Sequence, residues 1–137
     1  MVHGDLLTLA EYRLEQAREC LEISELTMGK SAKTSVNRSY YAIFHSMRAV
    51  LALQNFDTSK HSGIIAKFRM DYIKPGLFPA DISKLIGDAF TIRNNSDYKD
   101  FYVVSKEEAT QQLENARLIY GLCRDFVKEK AKEGDGE

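Results

Sequence analysis

The stretch Ser31–Gln54, SAKTSVNRSYYAIFHSMRAVLALQ, decides the fold. Val36, Tyr40, Tyr41, Ile43, Phe44, Met47, Val50, Leu51 and Leu53 cover most sides of a helix drawn through it and leave little polar surface. A helix that is apolar nearly all round has to be covered all round. The segment therefore predicts the central, most buried member of a helical bundle. Positions 38, 42, 45, 49 and 52 share one face and read Arg38, Ala42, His45, Ala49, Ala52. The alanines let a neighbouring helix come close, and Arg38 and His45 interrupt them with polar groups.

Outward from this segment the chain continues in helical periods. Toward the N-terminus, Leu7, Ala10, Leu14, Ala17, Leu21, Ser24 and Met28 alternate spacings of three and four, a stripe suited to shallow bundle crossings. Thr8 and Glu11 have the spacing of a capping box, and Gly29 is placed to end the helix. Toward the C-terminus, Ser105 and Glu108 repeat that box ahead of a stripe of Ala109, Leu113, Ala116, Tyr120, Cys123 and Val127. A shorter helix over about 59–73 is ended by Lys74-Pro75-Gly76. A fourth starts with Pro79 in its first turn and runs to about Tyr98. Residues 99–104 form a connector. Val, Ile and Thr never alternate as strands do, so the fold class is all-α, an up-and-down bundle of four to five helices.

Composition sets the outer limits. The 137 residues suit one domain, taken as 1–130, with the mixed-charge, glycine-containing 131–137 as a tail fraying into solvent. Apolar residues at 44%, charged residues at 28% and a net charge of -1 describe a globular protein in which nucleic-acid binding would need a local patch. Cys20 and Cys123 lack metal-ligand spacing and read as small core residues of a reducing compartment. Neither a metal nor a cofactor is expected. No leader-like pattern and no apolar run of about eighteen residues occurs, so the reading is cytoplasmic, with no membrane partner.

Three places resist a plain core reading. Arg38 and His45 have little room to reach water, and either snorkelling with a hydrogen bond or a ligand role accounts for them. Arg93 follows Ile86 and Phe90 at helical spacing, with Asp97 one turn on. An arginine four residues before an aspartate is the weaker orientation and contributes at most ~0.5 kcal/mol on an exposed face, so helix stability alone is a thin reason for it. Asn94, Asn95 and Ser96, poor helix formers, suggest a locally tuned helix end. His61 begins the third helix, where free backbone NH groups face anions; the competing reading is a solvated loop histidine.

The segments NRSYYAIFHSMRAVLAL, KHSGIIAKF and IRNNSDY, followed by a long last helix, resemble the prokaryotic branch of the HEPN domains from about Ser35 to Val127. The resemblance implies a bundle that forms a homodimer, encoded beside a minimal nucleotidyltransferase as a toxin–antitoxin-like pair and binding nucleotide or RNA. Many relatives are metal-independent ribonucleases, marked by an arginine and, after four to six residues, a histidine at the dimer interface. Arg93 matches that arginine, but Tyr98 stands where the histidine would. The chain is similar to the Arg-Asn-x-x-Asp-Tyr variant, with Arg93, Asp97 and Tyr98 in the motif's places. With a reference pKa of about 10, a tyrosine is a poor base near neutrality. The preferred reading is thus a non-catalytic binding module whose ligand residues are Arg38, Tyr41, His45, His61, Arg93, Asn94, Asp97 and Tyr98. The alternative is an endoribonuclease with Arg93 on the scissile phosphate and His45 or His61 as base, His3 being the one other histidine. A bundle whose polar residues are structural throughout is the third possibility.

Overall fold

The computed structural model describes residues 4–135, all in helices, turns and short connectors. Five α-helices follow in order: α1 (Gly4–Thr27), α2 (Ala32–Ala52), α3 (His61–Phe68), α4 (Ile82–Tyr98) and α5 (Lys106–Asp135), with a π-helical turn (Arg69–Ile73) extending α3. His3 lies outside the described residues. No described helix is long and apolar enough to cross a membrane.

α2 is the centre, as its sequence requires. It packs against α1, α3, α4 and α5, and Ile43, Met47, Val50 and Leu51 have no exposed surface. Burying each such side chain contributes about 1.5–3 kcal/mol. Ser31 caps the helix by accepting from the Thr34 amide at 3.1 Å. A short link at 28–31 folds α1 back along α2. The seam between them is lined with small residues, and Ser24 of α1 hydrogen-bonds Ser35 and Ser39 of α2 at 2.9 and 2.8 Å. These serines bury their hydroxyls without leaving any of them unpaired, which permits the close approach.

Several boundaries depart from the sequence reading for local reasons. α1 begins at Gly4, because Leu7 packs on the core and rewards an extra turn. Thr8 then lies inside the helix, its hydroxyl donating to the Gly4 carbonyl at 3.1 Å in place of a capping box. The box at Ser105 does form, with Glu108 N–H donating to Ser105 Oγ at 3.0 Å and Glu108 accepting from the Ser105 amide at 3.4 Å. The third helix starts at His61 and changes to π geometry at Arg69, where the Lys74 amide reaches back to the Arg69 carbonyl at 2.8 Å. The π-turn ends at Ile73 and a turn follows to Gly76, whose φ of 90° only glycine adopts freely. Pro79 stands in a turn before α4, because the Ile82 amide bonds the Pro79 carbonyl with turn spacing. α5 continues to Asp135, past residue 131 where a frayed tail is expected. Lys130–Glu133 and Lys132–Glu129 pairs, spaced by three, support its last turns.

Candidate functional site

The site grows from the last two turns of α4. Ile86 and Phe90 point inward, and Arg93 follows them with only 13% of its side chain exposed. Its guanidinium lies over the rings of Tyr40, Tyr41 and Tyr98 at 5.3, 5.2 and 5.8 Å. Nη2 donates to the Tyr41 hydroxyl at 3.0 Å and Nη1 to Asn94 Oδ1 at 3.2 Å. Asp97 Oδ2 is 3.0 Å from Nε, an ion pair in which the buried N–H is not aimed at the oxygen. The attraction is therefore mainly Coulombic.

A second arginine joins through a residue that the sequence reading passed over. Asn37 donates Nδ2 to Asp97 at 3.2 Å, while its Oδ1 accepts from Arg38 Nε and Nη2 at 3.1 and 2.7 Å. Arg38 in turn lies 5.1 Å from the Tyr41 ring. Arg93, Asp97, Asn37, Arg38 and Tyr41 thus close a loop of polar contacts that joins the end of α4 to the first half of α2. Arg38 does not simply snorkel away from the bundle.

Both histidines border this loop. His61 is part of an aromatic cluster, Nδ1 hydrogen-bonded to Tyr40 OH at 2.7 Å and its ring stacked on Phe44 at 4.0 Å, so it is not a solvated loop side chain. It also lines an open cleft of about 370 Å³ with Phe44, Arg48, Asp57, Thr58 and Ser59. Desolvation first, then Arg93 and Arg48, lower its pKa. His45 packs on Tyr41 and Phe44, its Nδ1 buried without a hydrogen-bond partner. Neither a carbonyl nor a tyrosine satisfies that atom. Desolvation, followed by the charges of Arg48, Arg38 and Arg13, pushes the His45 pKa down to about 4, so the ring is neutral at pH 7.

A further group of charges adjoins His45. Arg48 grips Asp57 through two hydrogen bonds at 3.2 and 2.9 Å, and Arg13 of α1, only 7% exposed, reaches Asp57 at 3.3 Å and the Arg48 carbonyl at 3.1 Å. Arg13 escaped notice because it flanks the predicted stripe. Buried Arg13 and Cys20 stand beside the stripe members Ala17 and Ser24 and widen that face, and the order Arg13, Ala17, Cys20, Ser24 keeps a helical spacing of four, three and four. Of the candidates, Arg38, Tyr41, Arg93, Asn94, Asp97 and Tyr98 meet in one cluster. His61 connects to it through Tyr40, and His45 lies beside it.

The chemistry open to this cluster is anion binding. Arginine stays protonated in proteins and presents several donors. Tyr40 is no base, because burial raises its phenol pKa. Of the two histidines, His61, bonded to Tyr40 and bordering the open cleft, is better placed to accept a proton than His45, whose pKa is pushed down to about 4.

The sequence model of the HEPN domain family matches residues 4–126. Among individual proteins, the chain is similar to a "UPF0332 protein" of Thermotoga maritima, 30% identical over 122 residues that cover 88% of this chain and 92% of that protein. A "putative toxin" of Methanocaldococcus jannaschii is 27% identical, covering 88% and 82% of the two chains. A "UPF0332 protein" of Archaeoglobus fulgidus is 30% identical, covering 85% and 94%.

Proposed function

Since the chain belongs to the HEPN domain family, we propose that it is the toxin-like member of a toxin–antitoxin pair, binding a phosphate-bearing ligand, nucleotide or RNA, through Arg93 without turning it over. The toxin assignment is taken from the name of the Methanocaldococcus relative. The pairing with a minimal nucleotidyltransferase rests on the family resemblance. The observation that carries the reading is the environment of Arg93. A half-buried guanidinium is oriented by Asp97 and Tyr41, a second cation stands across the same tyrosine, and Tyr98 occupies the place of the ribonuclease histidine.

The test is binding of mononucleotides and short RNA to the wild type, Arg93→Ala and Arg93→Lys. Loss with alanine and partial loss with lysine are expected, because lysine keeps the charge and loses the two-pronged geometry. Equal binding by all three removes the site.

One observation favours a second reading, a metal-independent endoribonuclease. His61 is held by Tyr40, whose ring lies under Arg93, and desolvation, then the charges of Arg93 and Arg48, lower its pKa and favour the neutral form a general base requires. RNA cleavage in EDTA that disappears with His61→Ala or His45→Ala would establish it. Cleavage by none of the proteins leaves the binding module.

A further inference from the structure

A groove runs between α4 and the α3–π-turn segment. It consists of two clefts, about 190 and 430 Å³, that share Ala66 and Arg69. Ser83, Gly87 and Phe90 form one wall, spaced four and three along α4 over about 10 Å, two helical turns. Ile65, Met70 and Ile73 form much of the other, and Met70 is 64% exposed. Methionine at an open apolar surface adapts to many shapes.

Charge along the groove is one-sided. Its charged lining residues are Arg69 and Lys74, with no aspartate or glutamate among them. Arg69 stands at the middle, where the α-helix passes into π geometry. Its Nη2 donates to the Ser83 carbonyl at 2.8 Å, while its Nε is buried and has no partner. No carboxylate of the described residues forms an ion pair with it. The bare backbone of Gly87 gives the guanidinium its seat, since a Cβ there would meet Nη2 at 3.0 Å. A half-buried cation with no carboxylate partner, set among apolar walls, is left without the compensation that a docked acid would supply. π-turns, moreover, concentrate at functional sites.

We propose that this groove docks an amphipathic helix of a partner protein whose apolar stripe is interrupted by one carboxylate. Two turns of groove accept apolar anchors at spacings of four and seven, and the carboxylate meets Arg69 between them. Charge complementarity selects this occupant over a nucleic acid, whose phosphates would find two cations among apolar walls. The site is separate from the Arg93 cluster, so it stands or falls independently of the proposed function.

The experiment places a photo-crosslinking amino acid at Met70, and in a second version at Ser62, in the full chain expressed in its own host. Both positions should crosslink to one segment of one partner. That segment should carry apolar residues at helical spacing with an aspartate or glutamate among them. A synthetic peptide of it should bind the purified full chain, and Arg69→Gln should weaken binding roughly ten-fold or more. Met70→Glu, at an exposed position that the fold tolerates, should weaken it similarly and decides the matter where Arg69→Gln fails to fold. Adducts scattered over many proteins, adducts to RNA or to a second copy of the chain, a crosslinked segment without an acid, or peptide affinity unmoved by both variants would each overturn the proposal.

Discussion

The Arg93–Asp97 pair allows a double-mutant cycle whose outcome follows from burial. On an exposed helix this orientation would couple the two residues by at most ~0.5 kcal/mol. Here the side chains keep only 13% and 19% of their exposure, and Arg93 is packed against three tyrosine rings. Hydrogen bonds to charged groups that are largely desolvated contribute about 1.5–3 kcal/mol. The misaligned Nε places this pair at or just below the bottom of that range, so the coupling should be ~1–1.5 kcal/mol. Arg93→Met preserves the stem that packs on the rings. Asp97→Asn preserves shape and can still accept from Asn37. The four proteins are compared by urea unfolding at pH 7, in low salt and in 1 M salt, where the screening length falls to about 3 Å. A coupling at or below ~0.5 kcal/mol, or one abolished by salt, would place the pair on an open surface and refute the reasoning.

Met47, fully buried on α2, should cost about 2–5 kcal/mol when replaced by alanine, and a melting temperature within about one degree of wild type would refute its central placement. The lowered pKa of His45 gives a pH dependence of definite sign: the unfolded chain takes up the proton first, near 6.5, so stability is full above that pH and falls as pH drops toward about 4. A shift of this size is at most ~3 kcal/mol, which partial exposure of the ring trims to ~1–2 kcal/mol. Urea unfolding at pH 7 and 4.5 should show this loss in the wild type and a smaller one in His45→Leu; equal losses would contradict it. At the end of α4, Tyr98, Phe101 and Val103 are 75, 101 and 80% exposed, and a homodimer covering them should sediment as twice the chain mass at high micromolar concentration. A monomer there removes the dimer.

The fold was legible because it depends on apolar period. α2 carries apolar groups on nearly all sides, and the stripes of α1 and α5 need no long-range knowledge to be drawn. Boundaries were less legible where a local signal competed with packing. Thr8-x-x-Glu11 is a genuine capping pattern, yet burying Leu7 outweighs it. At Arg69 the apolar residues Ile64, Ile65, Phe68, Tyr72 and Ile73 suit an α-helix well enough to hide the π-turn. The site was half legible. Arg93 and Asp97 announce themselves by following Ile86 and Phe90 in register, but the Tyr41 hydroxyl that Arg93 meets is fifty-two residues away in sequence. Asn37 left one faint signal, its place one turn before Tyr41 on the same helical face. A polar residue next to Arg38 attracts no attention until the fold brings Asp97 to it.

Charge distribution gives these contacts a common direction. The whole chain is nearly neutral, at -1. Yet Arg13, Arg38, Arg48 and Arg93 gather around the Tyr40–His45 segment of α2, and the carboxylates that meet them are Asp57 and Asp97, so four cations face two anions, an excess of two. Both nearby histidines are lowered in pKa and stay neutral at pH 7, which keeps that excess from growing. A bundle selected only for stability would place these arginines on its solvated faces, where i,i+4 acids could pair them at little cost. Concentrating them against aromatic rings instead stores an unbalanced positive field where water is partly excluded, and an anion entering there gains more than it would at an exposed arginine. One unit of that excess lies with Arg93 and Arg38, which flank Tyr41 and share Asp97, Arg38 through Asn37, so a ligand with a phosphate and a polar base edge can engage both arginines together. This is the physical basis for proposing nucleotides and RNA as ligands ahead of a simple monoanion.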